Sequence, residues 1–526
     1  MTTDVSSTST TSRAAARSVF AIFLNQVPQV AGSALFVMLI PRGLGTEIYG
    51  QLTFCFAFIT IFQTFGDLGY SEIFARFLPE VRQHTGEAGI RAMVQELFKF
   101  KVLVGLGLGL IATLIALGLE DWITPVQAGL IGLSVAVRIW AIAPFPLLLG
   151  LGETAKWSVE STWRQIVVTF LLFAMLFSPS LTLSLAAIAV HEIIFLGLGL
   201  WWTREWISPK SKVQSQESEA GSPKSEVQSR ESLSGFRPSS FALRLSSLIV
   251  RLPSSVLRPP SFLRFGFTFS LANIALVVLF RFSVIVVEKL THSRPELAFY
   301  DLALGALLLI YTLLGQIAYT FIPLLTQLRL NHRLEEADVW LGRLVRYTTL
   351  FVALGVGGMW AVSKPAAPLL FGAAFEPTAD ALRAIAVGLL PLPLAWACVL
   401  LSALDKRPLR KAWAALIGLA VFLIGAVALR HSGATGMAWA FAGALMGYAL
   451  GFGPSLGRAI RSGGVGWGIA LGATLLFTPL FFLKFSSLVV ALTAWSIVTL
   501  VYMLIVLALR VVTPEEVKQM TRVFRS

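Results

Sequence analysis

The sequence predicts an all-α polytopic membrane protein: about fourteen transmembrane helices, as two six-helix bundles followed by two C-terminal helices. Three observations predict it. The first is composition: 56% of the 526 residues are hydrophobic and 13% are charged, with a mean hydropathy of +0.77. Soluble domains carry about 25% charged residues. A soluble globular enzyme, a disordered chain and a fibrous repeat are therefore excluded. The second is the recurrence of apolar runs near the roughly 20 residues that a spanning helix needs. The third is the placement of Lys and Arg between those runs.

In the first half the runs lie near 19–41, 50–68, 102–119, 126–151, 163–178 and 181–203. In the second half they lie near 264–288, 298–325, 344–363, 379–404, 409–429, 434–456, 465–483 and 487–509. The run after the Ser/Thr-rich opening is too long for the apolar part of a signal peptide and lacks a small-x-small cleavage site, so it is expected to remain as the first span. With the N-terminus inside and sides alternating, 33 Lys and Arg fall on the inner side and 6 on the outer, with Arg138, Arg281 and Arg383 within spans. Basic residues collect on the cytoplasmic side of membrane proteins, so this asymmetry sets the orientation and places both termini there. It also accounts for the +14 formal charge, most of which would face the anionic inner leaflet rather than nucleic acid.

Four segments follow: 1–206, a six-helix bundle; 207–262, a cytoplasmic linker; 263–458, a second six-helix bundle; and 459–526, two extra helices and a tail. The linker contains a direct repeat, at 208–218 and 222–232, rich in Ser, Lys, Glu and Gln. Such a composition cannot bury a core and is expected to be largely disordered. Arg244, Arg251 and Arg258 recur among apolar residues, as on a basic helix lying on a leaflet, although Pro253 interrupts them. Internal similarity points to a duplication. Glu47-Ile-Tyr-Gly-Gln-Leu enters the second span, and Glu296-Leu-Ala-Phe-Tyr-Asp-Leu enters the eighth. Both halves begin on the same side, so the repeats run parallel and would enclose a central cavity.

With no hydrolytic or redox motif, function is sought in polar groups that lipid would penalise. A mid-bilayer arginine costs roughly 2.5–3.5 kcal/mol even on the gentler scale, so such groups face protein or water. Arg281 is the leading candidate for binding substrate, with Asn273 and Glu288 within about 80° of it on the same helix. Asn25, Gln29 and Gly32 share a face of the first span. Thr53, Thr60, Thr64 and Asp67 share one of the second, and Thr312, Gln316, Tyr319 and Pro323 one of the eighth. Polar stripes on the first two helices of each half suit a lumen; interhelical hydrogen bonding is the plainer alternative. The substrate-binding set is thus Arg281, Arg138, Asn25, Gln29, Asn273, Gln316 and Asp67. His191, Glu192 and Glu288 are candidates for proton or ion coupling, with a structural ion pair the alternative for His191-Glu192. Arg383, near an outer end, is expected to snorkel.

Other apparent motifs fail on context. Gly105-Leu-Gly-Leu-Gly109 follows no strand. Gly453-Pro-Ser-Leu-Gly457 closes a membrane helix rather than forming a nucleophile elbow. No P-loop is present, and Cys55 and Cys398 form neither a CxxC pair nor a disulfide framework. No cofactor or metal is called for. Gly443, Gly447 and Gly451 make a small-xxx-small ladder suited to close helix packing.

An Asn-bearing first span leads into Pro41-Arg-Gly-Leu-Gly-Thr-Glu-Ile-Tyr-Gly50, then Gly66-Asp-Leu-Gly69, then Phe74-Ala-Arg-Phe77 and a basic segment. Arg281 in the seventh span, Phe371-Gly-Ala-Ala-Phe-Glu-Pro-Thr-Ala-Asp-Ala-Leu before the tenth and Gly433-Ala-Thr-Gly-Met-Ala-Trp-Ala in the twelfth complete the pattern. This order resembles the oligosaccharide flippases of the multidrug/oligosaccharidyl-lipid/polysaccharide (MOP) exporter superfamily, over nearly the whole chain outside 207–262. The family often has an acid two positions after the seventh-span arginine; here Ser283 stands there.

The resemblance implies a carrier in the bacterial inner membrane, not an enzyme, moving an undecaprenyl-pyrophosphate-linked oligosaccharide outward by alternating access. Its expected partners are that substrate, membrane lipids and a polysaccharide polymerase or glycosyltransferases, with no nucleic acid. The alternatives are a cation-coupled multidrug exporter of the same fold and a membrane glycan polymerase or ligase; the outer loops are too short for the latter's catalytic residues.

Overall fold

The computed structural model describes residues 5–67, 70–119, 121–151, 154–174, 178–207, 259–321, 325–326, 328–329, 331–405 and 407–511. Side chains are described from Ala31 onward, apart from most of 68–85, 149–162 and 259–269 and a few single positions. The 207–262 linker lies almost wholly outside the described residues. Among the described residues every regular element is helical.

Among the described residues, ten helices are long and apolar enough to cross a membrane, or eleven if the bent pair Thr378–Leu389 and Leu392–Leu404 is one span. Two of the ten, Ala31–Asp67 with 37 residues and Leu409–Leu450 with 42, measure about 55 and 63 Å at 1.5 Å per residue. A hydrocarbon core is only about 30 Å thick. Each is broken: one at Gly45, whose φ of 73° suits only glycine, the other at the tight turn Arg430–Ser432 and Gly433. A further helix, Thr154–Ala174, falls short in apolarity because Lys156, Glu160 and Arg164 lie on it. With these breaks and this helix counted, the described segments come near the fourteen expected, a number the structure supports only approximately.

The second break makes an antiparallel hairpin. Gly425 lies against Ala440, Gly447 against Val421, and Gly451 against Ala414, so one number falls as the other rises. Two members of the small-residue ladder, Gly447 and Gly451, therefore sit where a Cβ would collide with the neighbouring helix. Gly443 has only an ordinary 3.7 Å neighbour in Val421.

The first helix, Val5–Asp67, ties the two bundles together. It packs on the fifth span of its own half and on the seventh and eighth spans of the other. The last two spans instead pack on the ninth, Leu334–Phe371. Trp495 Nε1 donates to the Leu354 carbonyl (3.3 Å), and Arg346 Nη1 to that of Val511 (3.0 Å).

The tenth span bends by 46° around Pro391, which lacks the N–H an unbroken helix needs. Arg383 lies in this span and does not snorkel. It is 6% exposed, and its guanidinium donates to the carbonyls of Leu480, Phe481 and Leu483 while lying over the Phe481 ring. Those carbonyls end a short helix, Thr478–Phe482, and have no acceptor site filled within it. The arginine finds inside the protein the partners it was expected to seek at the interface.

Candidate functional site

A cavity of ≈ 240 Å³ lies between the two halves. Its walls come from the first span (Ser33, Phe36, Val37), the second (Tyr49, Leu52, Thr53, Phe56), the seventh (Arg281) and the eighth (Asp301 to Leu313). Val168, Leu172 and Ile188 of the fifth and sixth spans close one side. The first two helices of each half thus supply most of the lining.

Arg281 lines this cavity and is half-buried, its side chain 21% exposed. Its guanidinium stands over the Phe56 ring at 5.5 Å, and Nη1 lies 3.8 Å from Oδ1 of Asp301. The other oxygen, Oδ2, accepts from the Tyr49 hydroxyl (3.2 Å) and the Thr53 hydroxyl (3.3 Å). Asp301 therefore joins an arginine of the second half to two hydroxyls of the first. Sequence reasoning missed it. Ser283 donates to the Phe280 carbonyl within its own helix, and the carboxylate it lacks is supplied from the eighth span. The signal was present: Asp301 is an acid inside an apolar span, in the stretch that mirrors Glu47-Ile-Tyr-Gly-Gln-Leu.

One end of the cavity, where the second and eighth spans begin, is shut. Arg294 pairs with Glu47 across the halves and lies over the Trp122 ring at 5.2 Å. Gly50 meets the Arg294 carbonyl so closely that no Cβ would fit. Phe375 stands edge-on to both Tyr49 (6.2 Å between centroids) and Phe299 (6.0 Å).

A second polar cluster lies within the first half. Glu192, 2% exposed in its side chain, accepts from Arg138 Nη1 and from Arg164 Nη2, each at 2.7 Å. His191 Nδ1 is 3.3 Å from Glu192, and His191 Nε2 is 3.0 Å from the Arg164 carbonyl. Arg164 and Glu192 are each four residues from a cavity-wall residue, Val168 and Ile188. The cluster thus begins one helical turn along these two helices from the cavity wall, and none of its residues lines the cavity.

Several expected site residues lie elsewhere. Arg138 belongs to the Glu192 cluster and is not in the cavity wall. Asp67 sits at the end of the second span, where the buried Lys101 caps the carbonyls of Gly66 (2.8 Å) and Asp67 (3.2 Å) and approaches its carboxylate (3.6 Å). A cation is favoured at such a helix end by the orphan carbonyls and the dipole. Asn273 accepts from Lys411 of the eleventh span at 2.8 Å, turned away from Arg281 by their 80° offset. Glu288 is buried outside the cavity wall. Thr60 and Thr64 donate to carbonyls of their own helix, and Gly32 accepts from Thr169 of the fifth span. The side chains of Asn25, Gln29 and Gln316 lie outside the described residues. Of the named set, the cavity brings together Arg281 with Thr53 and Thr312 from the stripes.

Over 92% of this chain and 97% of the other, the fold is similar to "Lipid II flippase MurJ, inward closed conformation", with a TM-score of 0.60 and 12% identity. A multidrug resistance MATE family transporter of the MOP superfamily, in an inward-facing conformation, is similar over 86% of this chain and 95% of its own (TM-score 0.59, 13% identity). The fold is that of the MOP-superfamily transporters. Residues 15–221 of this MOP-fold chain also match the family described as polysaccharide biosynthesis protein. No curated protein matches the chain in sequence.

Proposed function

We propose that the chain is a carrier, not an enzyme, that moves a polyprenyl-pyrophosphate-linked oligosaccharide across the bacterial inner membrane by alternating access, for polysaccharide assembly. One observation carries the reading: a guanidinium at bilayer depth, Arg281, in a cavity between the halves walled by hydroxyls and apolar side chains. A pyrophosphate needs a cationic partner in a low dielectric, and the guanidinium fork offers bidentate contacts. The hydroxyls of Tyr49, Thr53 and Thr312 suit the sugar, while the prenyl tail stays in lipid. The match of residues 15–221 to the polysaccharide-biosynthesis family, and the likeness to a lipid II flippase, support a lipid-linked cargo.

Ligand pockets for drug-sized molecules hold roughly 300–1,000 Å³. At ≈ 240 Å³ this cavity accepts a phosphate group but not an oligosaccharide. The structure is then a contracted state, and the halves part to load. With both termini cytoplasmic, the Glu47–Arg294 end faces outward, so this state is shut to the outside. Glycosyltransferases would supply the cargo on the inner face and a polymerase would consume it on the outer. Arg138, His191 and Glu192 are held in one buried cluster, which fits a structural role in the first bundle better than contact with cargo.

A cation-coupled multidrug exporter is the second reading. The carboxylate of Asp301 beside Phe36 and Phe56 would attract an aromatic cation. The test is complementation of a deletion strain. Arg281→Ala should abolish surface glycan, measured per amount of protein in the membrane, and leave drug resistance unaltered. Normal surface glycan in that variant overturns the proposal; a loss of drug resistance alone favours the exporter.

A further inference from the structure

We infer that Asp301 is the internal counter-anion of Arg281: in the empty carrier its carboxylate stands where the phosphate of the cargo will stand, and cargo displaces it. The inference rests on the proposed lipid-linked cargo and adds a residue and a step to it. A guanidinium inside the membrane region must be compensated by a charge, or it is costly to keep there. A carrier that returns empty therefore needs a partner for Arg281 at every stage in which no anion is bound. Asp301 is in place for this.

The geometry shows which of the buried pairs can be exchanged. Arg138 and Arg164 hold Glu192 at 2.7 Å each, at full hydrogen-bond strength and outside the cavity wall. Arg281 and Asp301 are 3.8 Å apart at their closest, attracted but with no direct hydrogen bond, and both face the cavity. A phosphate group making two short contacts to the guanidinium would outcompete that loose pair.

Displacement has a mechanical consequence. The same carboxylate accepts from Tyr49 and Thr53 of the other half. A phosphate on Arg281 repels Asp301 and offers the two hydroxyls a second acceptor. Loading therefore unties one of the links between the halves.

The test is titration of the purified full-length protein, in lipid nanodiscs, with inorganic pyrophosphate as the probe. Asp301→Asn removes the competing charge but keeps an acceptor for the two hydroxyls. It should bind pyrophosphate roughly tenfold more tightly, the effect of about 1.4 kcal/mol of lost competition. Asp301→Glu should stay near the unaltered protein, and Arg281→Ala and the Arg281→Ala/Asp301→Asn double variant should not bind. A merely structural role for Asp301 predicts weaker binding in Asp301→Asn. Equal or weaker binding there, no binding in either protein, or a gain that survives without Arg281 overturns the inference. Should Asp301→Asn not fold, Asp301→Ser is read by the same criteria. If pyrophosphate behaves as expected but surface glycan does not depend on Arg281, the flippase reading fails and the role of Asp301 stands.

Discussion

At the scale of single residues, the buried charges divide by how tightly they are held. Glu192 is almost wholly buried between two guanidiniums and touches His191. Removing one partner of a buried pair leaves an uncompensated charge and costs about 3–5 kcal/mol. Glu192→Gln should therefore lower the thermal unfolding temperature in detergent steeply and reduce abundance in the membrane. His191→Ala loses the hydrogen bond to the Arg164 carbonyl, worth about 1 kcal/mol, and the packing of its buried ring on Phe195, but strands no charge, so it should lower the unfolding temperature less than Glu192→Gln. A Glu192→Gln protein as stable as the parent would show that the cluster is not structural. What was legible here was the residue type; what was not was the partner. The sequence marks Arg138, Arg281, His191 and Glu192 as costly in lipid, and each has found compensation. A stripe along one helix says nothing of which helix faces it. Arg281 meets Asp301 across 20 positions, Arg138 meets Glu192 across 54, and Asn273 meets Lys411 across 138. Reading stripes as lumen misplaced Asp67 and Asn273 for this reason.

At the scale of elements, close approach and capping explain what periodicity does not. The eleventh and twelfth spans meet backbone to backbone through Gly418, Gly425, Gly447 and Gly451. Gly447→Leu and Gly451→Leu should each destabilise by about 1–3 kcal/mol, the usual cost of overfilling a packed contact. Gly443→Ala should be tolerated, because its nearest neighbour lies at ordinary van der Waals distance. Thermal unfolding of the three variants, side by side, checks the order. Arg383 makes a parallel case. Its donations to three terminal carbonyls tie the thirteenth span to the tenth, and hydrogen bonds from charged groups contribute about 1.5–3 kcal/mol. Arg383→Ala should speed amide exchange in residues 478–483 before any global unfolding; unchanged exchange there would refute the capping role. The spans themselves were readable because apolar length is fixed by bilayer thickness. The cap was not, because nothing local distinguishes an arginine that snorkels from one that reaches a distant helix end.

At the scale of the whole molecule, the first helix packs on spans of both halves, and one end of the cavity between them is closed. The Glu47 and Glu296 stretches, whose similarity suggests a duplication, are neighbours in the structure: Tyr49 of one donates to Asp301 of the other. The state of the mouth was not legible, because it depends on backbone approach rather than side-chain type. Gly50 packs against the Arg294 carbonyl with no space for a Cβ, so a larger residue there should hold the mouth open. In a protein whose buried Cys55 and Cys398 are replaced by Ala, Thr53→Cys places a thiol on the cavity wall just inside this closure. With Gly50 intact, a membrane-impermeant maleimide applied to whole cells should label that thiol slowly. With Gly50→Val added, labelling should rise several-fold while surface glycan falls, since a carrier that cannot close outward cannot complete its cycle. Breaking only the ion pair, by Glu47→Gln, should raise labelling less, because that pair is partly exposed and such pairs contribute about 0–1 kcal/mol. Equal labelling in all three would mean that the Gly50 contact does not control access. Labelling seen only in inverted vesicles would reverse the assigned orientation while leaving the closure in place.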